Sequence, residues 1–511
     1  MLLLTDKTKS TLFLVGIVFL FVGLTLSKAV TSLVTVYFLL LFLIQREYKN
    51  SFSLLKKNKS VRYFLLLVIW MSMSLLWSDN KSNGIQLFIS NLNFFIWPVL
   101  MVLFSEKVNR FQSLILLFFT LIVAAVSLFQ FINFQCLDGY HDLREMSLHV
   151  SHIRFALMVA ISFFIGVYFF RKEDRIFIRA IWLLLICWFL FYTYYSQVLS
   201  GVLGIIGGLT AFILYITLTK SKIWVKVSAL AFVALSTVFF LFIVVDIIYP
   251  KAIQVPKKLD KYTSLGNEYE TKINSKISEN GHILDLYYCE KEVDSVWKLR
   301  STKPLDSFSP RGYTYKSVLK RFLTSKGLRK DAFGVKALSI QDIKNIEKGI
   351  PSVLELENGL LARYYQLKFE FTGNLDPNGH SILQRFEFWK ASKIIIIDNW
   401  FLGVGLGSSK DAFSKVYKKM NSKLLIENQW ESHNQFLSIW ISFGIIGLFI
   451  FCFWLFSIIK NTLKTNWLYT TIFGVLIFSF FAEDTLSTLV GMTLFAFYSG
   501  FFQNLFPLKQ E

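Results

Sequence analysis

His433 is the residue best placed in this chain to carry out chemistry. It stands in Glu431-Ser432-His433-Asn434-Gln435-Phe436-Leu437, where a long polar segment ends and an apolar run begins. Histidine is the side chain suited to moving protons near neutral pH, so at a membrane edge it can serve a lipid-borne and a water-borne reactant together. The plainer alternative is an interfacial histidine hydrogen-bonded to a loop carbonyl. His149, His152 and His380 are lesser candidates, and no HxxxH or carboxylate spacing makes a metal site among them. The glycines of Gly403-Val404-Gly405-Leu406-Gly407 alternate behind the apolar quartet 394–397. That spacing is wrong for a dinucleotide fingerprint, which needs GxGxxG between a strand and a helix, so it reads as a tight turn rather than a phosphate cradle. Ser408 or Ser409 is expected to cap a helix starting near Asp411. The four cysteines, Cys136, Cys187, Cys289 and Cys452, show no CxxC spacing and suggest neither a disulfide framework nor a zinc site.

What must position these residues is a membrane-embedded scaffold. Hydrophobic residues make up 54% of the 511 and aromatics 17%, with a mean hydropathy of +0.50, well above an ordinary soluble domain. The pattern predicts an all-α polytopic membrane protein. About twelve segments are long enough to cross hydrocarbon as helices: 11–28, 30–45, 62–77, 85–104, 112–134, 153–170, 177–196, 201–218, 224–248, 435–459, 466–482 and 486–506. The lysine-flanked first stretch lacks a small-residue cleavage site and is expected to be a retained signal anchor. Basic short loops at 46–61, 171–176, 219–226 and 460–464 share one parity, whereas 78–84, 135–152, 197–200 and 483–485 are poor in lysine and arginine. By the positive-inside tendency both termini are expected in the cytoplasm.

The chain then divides into 1–248 with nine spans, one large outward loop at 249–433, and 434–511 with three more. A connection of this length is expected to be functional. Residues 250–433 carry 30 Lys and Arg against 21 Asp and Glu, an excess that suits anionic headgroups or a diphosphate, or else is a solvated lysine-rich surface. Helical pieces are expected over 311–348, at 359–371 and at 381–396, with a turn-rich break at 372–380.

Taken in order, Arg385-Phe386-Glu387-Phe388-Trp389, Asn399-Trp400-Phe401-Leu402-Gly403-Val404-Gly405, His433-Asn434 and Gly444-Ile445-Ile446-Gly447 resemble the core of the O-antigen ligase and polymerase superfamily. The match covers roughly 380–455, and the helix count and single large loop agree with it. The resemblance implies a metal-independent, inverting membrane glycosyltransferase of the GT-C type in the bacterial inner membrane, with its loop in the periplasm. Such an enzyme takes a glycan from undecaprenyl diphosphate and joins it to an acceptor hydroxyl on lipid A core or on another lipid-linked glycan. It implies no cofactor and no nucleic acid; the partners are the diphosphate donor, the lipid or glycan acceptor and membrane lipids.

A diphosphate is already a good leaving group, so the enzyme chiefly has to hold the anion, orient the acceptor and remove a proton. The resemblance gives His433 the proton, Arg385 the phosphate, and Trp389, Gly403, Gly405, Asn434, Gly444 and Gly447 structural duties. Arginine suits phosphate because its planar fork engages two oxygens at once. Arg154, at the mouth of the sixth span, is the other candidate, against a reading in which it snorkels to the headgroups. Arg385 could instead form a plain salt bridge with Glu387 or Asp398. The chain departs from the family at Tyr195-Ser196-Gln197-Val198-Leu199-Ser200-Gly201, which lacks the arginine many members carry there. Arg154 is therefore expected to converge with Arg385 and His433 on one cavity and to complete the phosphate site. A protein O-glycosyltransferase shares the same core. A lipid-linked glycan transporter would instead show paired repeats or ionisable groups mid-membrane, which are not seen.

Overall fold

The computed structural model describes residues 5–45, 53, 55–136, 143–219, 222–249, 258–272, 275, 277–357, 359–372 and 375–503. Arg46, Lys49 and Lys220 of the basic loops, most of 135–142 and residues 373–374 of the expected break lie outside them. Among the described residues nine helices are long and apolar enough to cross a membrane: Asp6–Leu26, Lys59–Leu76, Lys81–Leu103, Gln112–Cys136, His152–Lys172, Ile176–Tyr195, Leu199–Thr219, Ile223–Ile248 and Gln435–Thr465. Three shorter apolar helices, Lys28–Ile44, Trp467–Ala482 and Leu489–Phe502, fall where the other three spans were expected. The protein is an all-α polytopic membrane protein. The expected span 85–104 begins earlier and is two helices, Lys81–Ser90 and Leu92–Leu103, meeting at Asn91.

His152–Lys172 is the most enclosed span, packed by Gln112–Cys136, Ile176–Tyr195, Leu199–Thr219 and Trp467–Ala482. Leu199–Thr219 and Trp467–Ala482 cross closely because both contribute small residues: a Cβ on Gly474 would lie 2.6 Å from the Gly207 carbonyl oxygen. Without a hydrophobic drive between helices in lipid, such backbone approach is what holds spans together. It also fixes the end of Trp467–Ala482, from which the 483–488 loop departs, relative to residues 197–200.

The long span Gln435–Thr465 is not one continuous helix. Gly444 has φ 66° and ψ −173°, a conformation essentially confined to glycine, and it separates Gln435–Phe443 from Ile445–Thr465. The carbonyls freed by this break find donors in the Gly403–Gly407 turn and in Trp70. Val404 N donates to Ile441 O (2.8 Å), Gly405 N to Ser442 O (3.0 Å), and the Trp70 indole to Phe443 O (2.9 Å). Backbone polar groups at membrane depth must be paired within the protein, so the turn and the break require each other. The turn reading of these glycines holds: Gly403 N donates to Asn399 O (3.0 Å) and Gly405 N to Ser442 O, so two of the three amides are spent on protein acceptors. Ser408 takes the N-cap position of Ser409–Lys419 but does not cap it with its side chain. Its hydroxyl instead meets Ser78 Oγ (2.9 Å) and Asn80 N (3.2 Å), locking the turn to residues 78–80.

A Cβ at position 444 would meet the Phe401 carbonyl oxygen at 2.0 Å. Gly444→Ala combines this backbone clash with a conformation costing a non-glycine residue about 1–3 kcal/mol. The expected outcome is a thermal midpoint in detergent lowered by several degrees or failure to accumulate folded protein. A melting curve that overlays the parent's would show that the break is not needed.

Among its described residues the large connection is mainly helical, with Glu290–Arg300, Tyr315–Ser325, Ala332–Lys336, Ile340–Glu347, Leu360–Glu370, Ser381–Asp398 and Ser409–Lys419, and one short antiparallel pair, Ser278–Glu279 with His282–Ile283. Thr314 and Ser339 cap their helices, Ser339 in a reciprocal box with Asp342. Trp297, Val318, Phe322 and Ile346 form a core private to this region. Ser381–Asp398 belongs to another cluster, in which Phe388, Ala391 and Ile395 pack with Phe413, Tyr417 and Ile441. The arginine-bearing helix is thereby seated on the first half of the broken span.

Candidate active site

The six residues following Trp467–Ala482 organise the site. Asn434 caps Gln435–Thr465, its Oδ1 accepting from Phe436 N (3.1 Å) and Leu437 N (3.2 Å), while its Nδ2 donates to Phe481 O (3.0 Å). Leu486 N donates to Gln435 Oε1 (2.7 Å), and Ser438 Oγ donates to Asp484 Oδ1 (2.7 Å). The 483–488 loop is thus stitched to the segment that carries His433.

Glu483 joins the two principal candidates. One carboxylate oxygen pairs with Arg385 Nη2, whose other terminal nitrogen donates to Ala482 O, and the other oxygen lies 3.3 Å from His433 Nδ1. Its side chain is only 3% exposed. Burial resists its ionisation, but the hydrogen bond from His433 and the charge of Arg385 prevail and hold Glu483 below the usual carboxylate range. The neighbouring Asp484 is pushed up by burial, with Ser438 opposing, and Glu431 is likewise raised by burial. His433 itself has φ 46° and stacks on Phe388, ring centroids 5.4 Å apart. Trp389 donates its indole N–H to Ser432 O (3.0 Å), fixing the backbone just before His433.

Arg154 is buried, 4% exposed, and does not snorkel. Its Nε donates to Thr488 Oγ1 (3.0 Å) and its Nη2 to Asp484 O (3.0 Å), while Nη1 is buried without a partner. All three residues touch the 482–488 segment, but of the three Arg385 alone lines the adjoining cavity, so the expected convergence on one cavity is not what the structure shows. Two of the Arg154 nitrogens are committed to that loop, and the residue does not line the adjoining cavity. Arg385 pairs with Glu483 rather than with Glu387 or Asp398. Glu387 instead accepts from Lys390 (2.5 Å).

That cavity, about 640 Å³, opens between the ends of the spans and the large connection. Arg385, Trp389 and Glu483 line one part, Gln197 and Leu199 another, and Arg363 a third. Its volume falls within the usual range for small-ligand sites. His433 is not among its lining residues; it joins the cavity through Glu483, with its own side chain 34% exposed. His152 lines the cavity too, whereas His380 is pushed down to about 4 by burial and the charge of Arg321, which makes it a neutral ring beside Phe369.

Sequence reasoning missed Glu483 and Asp484, having treated 483–485 only as a loop poor in lysine. The available signal was an acidic pair between two apolar helices, where ionisable groups are costly and seldom idle. Gly403, Gly405, Gly444 and Gly447 all lie at the break; a Cβ on Gly447 would meet Phe443 Cβ at 2.3 Å.

Residues 333–452 match the family model described as O-antigen ligase, a stretch that contains Arg385, Trp389, His433 and the Gly444 break but neither Arg154 nor Glu483. Comparison with curated proteins returns no match. The family match thus falls on a stretch that carries Arg385, Trp389 and His433, and residues 333–452 of this polytopic membrane protein are similar to the O-antigen ligase family.

Proposed function

We propose that the protein transfers a glycan from undecaprenyl diphosphate to a hydroxyl of lipid A core oligosaccharide on the periplasmic face of the inner membrane, with both termini cytoplasmic. The observation carrying this reading is the Arg385–Glu483–His433 chain beside the cavity, within the O-antigen ligase domain. Glu483 accepting from Nδ1 leaves His433 Nε2 with its lone pair, the tautomer a base requires. The acceptor oxygen gives its proton to that nitrogen and bonds the anomeric carbon from the face opposite the diphosphate. The bond from that carbon to the phosphate oxygen breaks, and the diphosphate leaves with the electron pair, its growing charge met by Arg385. Inversion follows from this single displacement, which calls on no metal. Arg154 serves as a positioning residue: it anchors the loop that holds Glu483. Residues 249–433 supply the roof of the cavity and the acceptor contacts.

Deleting the gene tests the reading. Expected is lipopolysaccharide lacking its polymeric glycan, with long lipid-linked glycan accumulating. Unchanged capped lipopolysaccharide would reject ligation, and lipid-linked glycan shortened to single repeat units would reassign the protein to polymerisation.

A further inference from the structure

Two aromatic side chains stand open in the cavity. Phe386 and Trp389 both line it and keep 38% and 36% of their surface exposed, although rings of this size contribute most when covered. They lie at i and i+3 on one face of Ser381–Asp398. Each is braced. The two rings meet edge to face, centroids 5.8 Å apart and planes at 80°, and Phe371 holds Phe386 in the same manner at 6.2 Å and 73°. The Trp389 indole is fixed by its bond to Ser432 O (3.0 Å). Two flat apolar faces at right angles therefore form a rigid corner.

What fills such a corner needs an apolar face of its own. A hydrocarbon chain has one, but the remaining lining does not suit it, because Gln197, Glu357, Gln366 and Arg385 share the cavity. A pyranose ring meets both demands. Its C–H bonds, weakly positive, settle on the negative face of an aromatic ring, while the hydroxyls at its rim give and take hydrogen bonds. Gln197 adds a second mark. Its φ is 57°, a conformation uncommon for non-glycine residues and one that persists where the surroundings impose it, often at ligand sites. His433, beside the cavity, shares it with φ 46°. The amide of Gln197 offers donor and acceptor together, which matches a hydroxyl.

We propose that Phe386 and Trp389 form the platform for the donor's first sugar ring, with Gln197 taking one of its hydroxyls. This rests on the reading that the cavity takes a lipid-linked glycan. Phe386 directly follows Arg385 and Trp389 lies one helical turn beyond it, so a ring seated on the corner is the one joined to a diphosphate held by Arg385.

The test uses the purified full-length protein in micelles, with a prenyl diphosphate bearing one hexose and the bare prenyl diphosphate as probes. The parent is expected to bind the sugar-bearing probe at least about fivefold tighter, the sum of several weak contacts to a ring face. Phe386→Leu keeps an apolar side chain but removes the flat face. It should bring that preference within about twofold of unity and leave binding of the bare probe within about twofold of the parent's, whereas Phe386→Tyr keeps the preference. Gln197→Gly removes the amide and suits the backbone it leaves, so its melting midpoint should stay at or above the parent's while the preference falls. In transfer assays Phe386→Leu raises the donor KM and not the acceptor KM. A preference that survives Phe386→Leu or Gln197→Gly, an equal loss of both probes, or a rise confined to the acceptor KM overturns the proposal. A parent that binds both probes alike also overturns it and leaves the diphosphate reading standing. A parent that binds neither probe overturns the reading of the cavity itself, and this inference with it.

Discussion

Glycan transfer by His433→Ala is expected to fall about 10²–10⁴-fold while donor binding and membrane insertion persist. The range is that of a positioned general base. It applies here because His433 is held from three directions, by Glu483 at Nδ1, by Phe388 against its ring and by the Trp389 bond to the preceding carbonyl. Removing the imidazole leaves the surrounding backbone held: Trp389 still donates to Ser432 O, and Asn434 still caps its helix. The loss should therefore appear in kcat with the donor KM little changed. Purified His433→Ala with a kcat near the parent's would reduce His433 to a structural side chain.

Glu483→Gln should lower transfer on the order of 10²-fold and also weaken the fold, the double signature of a group that serves both partners. The amide keeps the volume but cannot balance Arg385 or stabilise a positive imidazole. Removing one member of a buried ion pair costs about 3–5 kcal/mol, and less here because Arg385 is about a quarter exposed. The pH dependence has a definite sign. Glu483 is held below the usual carboxylate value, so its contribution to stability is fully present above about pH 4.3 and is lost as pH falls through its lower folded value. Asp484 acts in the opposite sense, since burial raises it and acid relieves rather than removes a cost. Detergent melts of parent and Glu483→Gln should converge only below about pH 4.3, as acid strips the parent of its advantage. Parallel curves at all pH values, or unimpaired transfer by the variant, would show that Glu483 joins Arg385 and His433 only by proximity.

Much of the architecture was legible from sequence because bilayer crossing leaves a strong local signal: long apolar runs, whose positions the helices match within a few residues apart from the two-part Lys81–Leu103 segment. The break inside Gln435–Thr465 was less legible. Gly444 and the Gly403–Gly407 turn were visible as separate motifs, but their pairing depends on hydrogen bonds between residues about forty apart. The helical pieces of the large connection were readable from periodicity, whereas the membership of Ser381–Asp398 in a core with Ile441 was not.

By itself the sequence determined the helical membrane class, the candidacy of His433 and Arg385, and the family resemblance, since these rest on local composition and on ordered motifs. Tertiary structure alone decided which charges meet. Glu483 lies 50 positions from its histidine partner and 98 from its arginine partner, and Arg154 is 330 positions from the Asp484 carbonyl it holds. Neither pairing has a periodic or local trace, because helix packing, and not neighbouring residues, brings those span ends together. The same reason turns Arg154 to the 483–488 loop, since a guanidinium at a span mouth can face several acceptors, and only the packing of its helix against that segment settles which ones it finds.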